Sequence, residues 1–287
     1  MARRLRDLIT NAYENGKYTY TSYRKVPGVA STATFWADLS TMPGNPVPNY
    51  YLGDALVGTY PTDWYKKSIW DGGPVSPNKK FIHKICLLGT GASVAPAPFI
   101  LCDYLLYYPV IDMDSMDEQI FDNTVRSLPR YTTGFGVMAF LVATNPYTGG
   151  QYFYINYTNH LGVSGRVSQL VQTNTGTNIS TLVNSNTGAS NRFNAFIPLQ
   201  YGDMGIRSVQ SITFLGPNGG LAALVLVRPI LTMMTRETTA WAEFDFVKDK
   251  PSLPLVYDGA YLNFLVLPSA SFLSVPIIGE FTFIWGD

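Results

Sequence analysis

Hydrophobic and polar positions alternate with a period of two in several short segments of this chain. QYFYINYT sets Phe153, Ile155 and Tyr157 against Tyr152, Tyr154 and Asn156, and AEFDFV sets Ala242, Phe244 and Phe246 against Glu243, Asp245 and Val247. GEFTFIWG aligns Phe281, Phe283 and Trp285, and YLNFLVL aligns Leu262, Phe264 and Val266. Such alternation is the mark of strands with one face turned to a core. FGVMAFLVA and LAALVLV are apolar throughout, which predicts strands covered on both faces. The 25 glycines and 19 prolines are spread along the chain and cut it into short segments bounded by turns. The pattern predicts a mainly β fold, a β-sandwich or jelly-roll-like body with one or two short helices.

Residues 1 to about 75 read differently. STMPGNPVPNYYLG and WDGGPVSPNKK crowd Pro and Gly beside Trp36, Tyr50, Tyr51, Trp64 and Trp70, which suits an extended lead-in lying over another surface. A tightly packed first half-sheet is the alternative. The sandwich is then expected over 76–287, with a polar insert at 172–194 in which Asn-Thr-Gly occurs twice. That insert reads as a surface hairpin around NISTLV or as a mobile surface loop. At the N-terminus Arg3, Arg4 and Arg6 accompany Leu5, Leu8 and Ile9 at helical spacing, an amphipathic arm. It lacks the apolar core of a signal peptide, so the sequons at Asn156 and Asn178 carry no meaning here. The longest apolar run, LAALVLV, falls far short of the ~20 residues that cross a bilayer. A soluble chain with no membrane partner is expected.

Charge adds an exclusion. Formal net charge is zero and only 14% of residues are charged, against about a quarter in ordinary soluble domains. No global field gathers a polyanion, so nucleic-acid binding by the body is not expected. The surface must be built from Tyr, Asn, Thr, Ser and Gly, with 19 Tyr, 16 Phe and 5 Trp available. Such surfaces suit contact with other molecules.

The densest chemistry is DMDSMDEQIFDN, which holds Asp112, Asp114, Asp117, Glu118 and Asp122. As a calcium loop counted from Asp112 it fails, because Met116 stands fifth, Asp117 replaces the sixth-position Gly and Asn123 replaces the bidentate Glu. Ser115 and Glu118 have capping-box spacing and predict a helix from about Met116 to Arg126. Asp112 and Asp114 lie outside that cap and remain weak candidates for a cation or a basic neighbour. LLGTGASVAPAP fails as a phosphate loop, with Val94 where a third Gly is required and Pro96 and Pro98 where a helix should start. His83, His160, Cys86 and Cys102 have no zinc-ligand spacing, and Ser164 lacks a nucleophile elbow. They read as structural residues, and no cofactor or catalytic group is asked for. Trp64, Tyr65 and Trp70, or the tyrosines of 152–157, offer rings for stacking a sugar, although alternate tyrosines are also ordinary cross-strand pairs.

The arm MARRLRDLITNAYENGKY, the Pro/Gly lead-in and the terminal pair YLNFLVLPSASFLSVPIIGEFTFIWGD give the whole chain the style of a known class. In these respects it resembles head-associated, β-sandwich or jelly-roll virion structural proteins of tailed bacteriophages. The resemblance implies a non-enzymatic capsid, decoration or cement protein, located in the virion and assembled in the host cytoplasm. Its partners would be copies of itself and other virion proteins, in a homo-oligomer. It transfers no functional residues. A receptor- or glycan-binding module of a tail or fibre is the alternative expectation.

Overall fold

Two long strands, β5 (Ala97–Asp112) and β12 (Leu221–Thr235), pair antiparallel along nearly their whole lengths and organise the chain. The computed structural model describes residues 5–29, 33–91, 95–176, 178–185, 194–249, 252–271 and 273–286. The long pair is the middle of a sheet ordered β2 (Ala37–Asp38), β15 (Leu262–Val266), β5, β12, β7 (Met138–Ala143). A second sheet runs β13 (Ala242–Asp245), β4 (Lys79–Gly89), β16 (Ile277–Gly286), β1 (Tyr18–Lys25), β3 (Gly44–Asn45), with β14 (Leu255–Val256) also on β4. The third runs β10 (Val171–Gln172), β8 (Tyr152–Asn159), β11 (Ile206–Phe214), β6 (Gln119–Ile120), with β9 (Arg166–Val167) on β8. Every named pairing is antiparallel. The chain is mainly β, as its alternation predicts.

Side-chain parity on the long strands sets the layers. Ile100, Cys102, Tyr104 and Tyr107 of β5 share one cluster with Ala223, Val225 and Val227 of β12, Phe140 and Val142 of β7, and Leu265 of β15. The opposite face divides between two cores. Phe99, Leu101, Leu231 and Met233 meet Ile85, Leu87, Phe281 and Phe283 of the second sheet. Leu105, Tyr108, Leu224 and Leu226 meet Phe153, Ile155, Val209 and Ile212 of the third. The shift at Leu226/Val227 leaves Leu105 as an extra residue on β5, and the one at Pro229/Leu231 leaves Ile230 extra on β12, where the side facing the other two sheets passes from even residues (Leu224, Leu226) to odd ones (Leu231, Met233). Pro229, which cannot donate to a ladder, sits at that irregularity, where it is tolerated.

The polar insert departs from expectation. Thr173, Asn174, Thr181, Asn184 and Ser185 are buried, so much of it is not surface. Asp38 N donates to Ser180 O (2.8 Å) and Leu182 N to Trp36 O (2.8 Å) on one side. Ser180 N donates to Ala143 O (2.9 Å) and Val183 N to Leu141 O (2.7 Å) on the other. Residues 180–183 therefore link β2 to β7, and the central sheet closes on itself. Leu182 points to the enclosed cluster and Val183 to an outer one. Asn side chains serve as substitute backbone partners: Asn184 Oδ1 accepts from Leu141 N (2.8 Å), and Asn174 Nδ2 donates to Leu182 O (2.7 Å). That need for buried acceptors and donors is why a polar composition lies inside. The second Asn-Thr-Gly, at 186–188, falls outside the described residues.

The lead-in contributes strands to the sheets of the body. β1 pairs with β16 from Tyr18↔Ile284 to Lys25↔Ile277 and lies inside its sheet. Trp36 and Tyr51 do lie over another surface, packed in the enclosed cluster of the central sheet. The helix expected over 116–126 is absent. Ser115 Oγ accepts from Asp117 N (3.2 Å) in a turn, and Glu118 Oε1 instead accepts from Ser211 Oγ (2.5 Å) and Asn156 Nδ2 (3.1 Å). β6 then pairs with β11, and Phe121 stacks on Tyr108 with ring centroids 4.4 Å apart. A cap contributes about 1 kcal/mol, less than burying a Phe side chain, so the strand wins. The described helices are α1 (Leu5–Glu14), the single turn α2 (Trp64–Lys67) and a 3-10 turn at Leu39–Thr41.

Asp38 holds the closure from inside. Its carboxylate accepts from Tyr51 OH (2.5 Å), Tyr104 OH (2.7 Å), Ser40 Oγ (2.7 Å) and Ser40 N (2.8 Å). Burial raises its carboxyl above the ordinary value, against the pull of these four donors. Nearby Lys25 is buried too, donating to Met42 O (2.8 Å) and Pro46 O (2.7 Å), and burial pulls it down to about 7. Asp38→Ala is expected to cost about 3 kcal/mol, because two tyrosine hydroxyls lose their acceptor in a site without water access. Urea denaturation checks this; a loss below about 0.5 kcal/mol, the level of a surface substitution, would show that the hub is dispensable.

Candidate interaction surfaces

The acidic turn works as a backbone clamp. Asp112 Oδ1 accepts from Asp114 N (2.9 Å), and Asp114 Oδ1 accepts from Gly219 N (3.3 Å). Gln119 closes the turn, donating from Nε2 to Asp112 O (2.7 Å) and accepting from Asp112 N (2.9 Å). Among the described residues, no three His, Cys, Asp or Glu side chains gather as metal ligands. Asp112 and Asp114, the weak cation candidates, each accept one backbone N–H through Oδ1.

The apolar side of the arm faces its own sheet. Leu5, Leu8 and Ile9 are half-buried, Ala12 is buried, and Arg6 is exposed. A Cβ on Gly286 of β16 would come within 2.5 Å of Leu8 Cδ1, so α1 lies directly on that strand end. Tyr13 hydrogen-bonds His83 Nδ1 (2.8 Å), which ties the helix to β4. Arg3 and Arg4 lie outside the described residues. His160 Nδ1 accepts from Met204 N (3.3 Å) and meets the Phe135 ring edge-on. Both cysteines are free, and burial pushes the Cys102 thiol well above its ordinary range.

A cleft of about 320 Å³ opens where the insert, the lead-in and the long strands converge, lined by Tyr50, Leu52, Val110, Ile179 and Leu221 among others. Its rim is built by backbone geometry. At the β5/β12 register shift, Pro109 and Val110 together oppose Ala223. Val110 adopts φ +57° and turns its side chain out, where it is 42% exposed. Tyr51, at φ +51°, points inward to Asp38 and leaves Tyr50 and Leu52 outside, the latter 75% exposed. Tyr107 OH donates to Leu52 O (2.6 Å) and fixes that loop. Positive φ is rare for any residue with a Cβ and most unfavourable for a β-branched one such as Val.

A second recess, of about 460 Å³, lies between the β1/β3 edge and α2, with Tyr20, Ser22, Asn45, Tyr65, Lys66 and Trp70 on its walls. Sequence pattern named Trp64, Tyr65 and Trp70; Trp64 turns out to back the Trp70 ring, with centroids 5.5 Å apart and planes at 9°. It did not name Tyr20, whose strand YTYTSYRK places Tyr18 and Tyr20 on one face and Tyr23 on the other, with no aliphatic residue to mark the period. Nor did it name Val110 or Leu52, for which the only signal was the Pro-Val break within an apolar strand. In β8, Tyr152 is exposed and Tyr154 half-buried, on the face away from the core.

Compared with protein-family models, curated proteins and solved structures, the chain matches none. Among the described residues no helix is long and apolar enough to cross a membrane.

One ion-pair network has a clear titration. Asp203 is penalised by desolvation, yet it accepts a two-pronged contact from Arg166 (2.9 and 3.2 Å), Tyr157 OH (2.6 Å) and Asn159 Nδ2 (2.7 Å), which together hold it down to about 2. Its folded pKa lies below the unfolded one, so its stabilising effect is full above about pH 4 and is lost as pH falls through about 2. The stability gap between the wild type and Asp203→Asn should therefore shrink across that window in acid-titrated urea denaturation. A gap that stays constant down to about pH 2 would contradict the assignment.

Proposed function

We propose that the chain is a virion structural protein that self-assembles on or in a bacteriophage capsid, and that the Val110 cleft receives a second copy of the chain. The observation that carries the reading is the Val110 backbone. A β-branched residue held at φ +57° costs on the order of 1–3 kcal/mol, and what it gains is an apolar side chain at the mouth of an open cleft beside Tyr50, Leu52 and Ile179. Covering the cleft buries four apolar side chains, Tyr50, Leu52, Val110 and Ile179.

Other features support the reading. The surface carries few charges, so packed copies repel little. The closed central sheet gives the cleft rigid walls, and edges joined through residues 180–183 are not open to indiscriminate strand pairing. The whole-chain resemblance to head-associated phage proteins supplies the setting, and the role needs no catalytic group.

Sedimentation velocity tests the reading with two substitutions. Leu52→Asp places a charge in the cleft and should convert oligomer to monomer. Val110→Gly relieves the backbone and should keep or raise stability while weakening association about tenfold, through loss of one apolar side chain from the covered cleft. A wild type that stays monomeric at all concentrations, or a Leu52→Asp variant that assembles unchanged, would overturn it.

A further inference from the structure

The recess between α2 and the β1/β3 edge combines three exposed aromatic rings with polar groups on a fixed backbone. Tyr20 is 65% exposed, Tyr65 50% and Trp70 39%. Apolar rings gathered on one recess and rimmed by polar groups mark a binding surface. Each is held by its surroundings rather than by contact with the others. Trp70 is backed by Trp64, and its carbonyl accepts from Thr21 Oγ1 (2.5 Å). Tyr65 lies edge-on to Trp64 and under Lys66 Nζ, 5.2 Å from its centroid. Tyr20 extends from β1 and is braced by Tyr18 at 5.4 Å.

The frame is equally fixed. Val47 N donates to Lys66 O (3.0 Å), Asn45 Nδ2 to Ser22 O (3.2 Å) and Ser68 Oγ to Trp64 O (2.6 Å). Behind them the buried Lys25 ammonium anchors Met42 O and Pro46 O. Asn45, Ser22 and Lys66 line the walls and bring an amide, a hydroxyl and an ammonium group to the recess.

We infer that this recess is a carbohydrate-binding site, in which the exposed tyrosine and tryptophan rings stack on pyranose faces while Ser22, Asn45 and Lys66 bond sugar hydroxyls and carboxylates. Pyranoses present an apolar C–H face and a rim of hydroxyls, which matches rigid aromatic walls interleaved with neutral hydrogen-bonding groups. No carboxylate lines the recess, and Lys66 is its charged residue. The site therefore prefers acidic sugars, such as uronic acids, to amino sugars. A peptide partner fits less well, because β3 is a two-residue edge with little ladder to extend. The inference is independent of assembly through the Val110 cleft, since the two sites share no residue.

A glycan array that includes uronic-acid and neutral oligosaccharides tests it, followed by tryptophan-fluorescence titration of the wild type with oligogalacturonate and a neutral gluco-oligosaccharide. Saturable quenching is expected, stronger with the uronate. Trp70→Ala and the surface variant Tyr20→Ala should each weaken it about tenfold, and Lys66→Ala should weaken the uronate selectively. Tyr20→Ala serves as the variant whose folding is not at risk, and Leu52→Asp should bind as the wild type does. An array without hits, or hits that survive both Trp70→Ala and Tyr20→Ala, would overturn the assignment.

Discussion

Closure of the central sheet is the constraint from which the rest of this structure follows. β5 and β12 are apolar on both faces along most of their length, so neither face can meet water. One face is covered by the two other sheets, and the opposite face is enclosed by curling the sheet until residues 180–183 join β2 to β7. An open sheet of this kind would present two unpaired edges and an uncovered row of Phe140, Val142, Val225 and Val227. The insert removes both problems in one short segment.

Irregular chain inside a protein has no ladder to satisfy its backbone, so its polar groups must find partners individually. That explains where the buried charges stand. Asp38 gathers Tyr51, Tyr104 and Ser40 where the lead-in enters the curl. Asp103 takes a two-pronged contact from Arg130 (2.8 and 2.6 Å) and the N–H of Tyr261 (2.9 Å), pinning two loops to the middle of β5. Asp71 and Lys80 pair at 2.8 Å in a nearly dry site between the lead-in and β4. Buried pairs of this kind add little net stability over apolar packing, but losing one partner is expensive, so they fix the path of segments that packing alone would leave loose.

The legible part of the fold was the part governed by local pattern. Alternation located β8, β13, β15 and β16, and the unbroken apolar runs located β7 and β12 with both faces covered. Three features were hidden because long-range pairing outweighed local signals. Ser115 and Glu118 had the spacing of a cap, yet β11 and Tyr108 offered residues 119–121 more than a short helix could. YTYTSYRK looked like polar lead-in because its inward residues are Tyr23 and a buried Lys25, not aliphatics. The insert has the Asn- and Thr-rich composition of a solvated loop, yet those side chains stand in for backbone partners. Tyr65 and Trp70 were visible as candidate sugar platforms, whereas Tyr20, Val110 and Leu52 depend on which strands meet.

Both proposed surfaces arise at places where regular pairing ends. The recess beside α2 uses the short edge strand β3, and the Val110 cleft uses the shift in register near the end of β5. The cleft's strained rim is the feature that most asks for a partner. Hydrogen–deuterium exchange measured on dilute and on concentrated protein tests that claim most directly. Assembly through the cleft predicts that amides of 50–56, 110–111 and 178–180 become protected as concentration rises, while the recess near Tyr20 does not change. Exchange at those segments that is identical at every concentration, or protection that appears elsewhere on the surface, would contradict it.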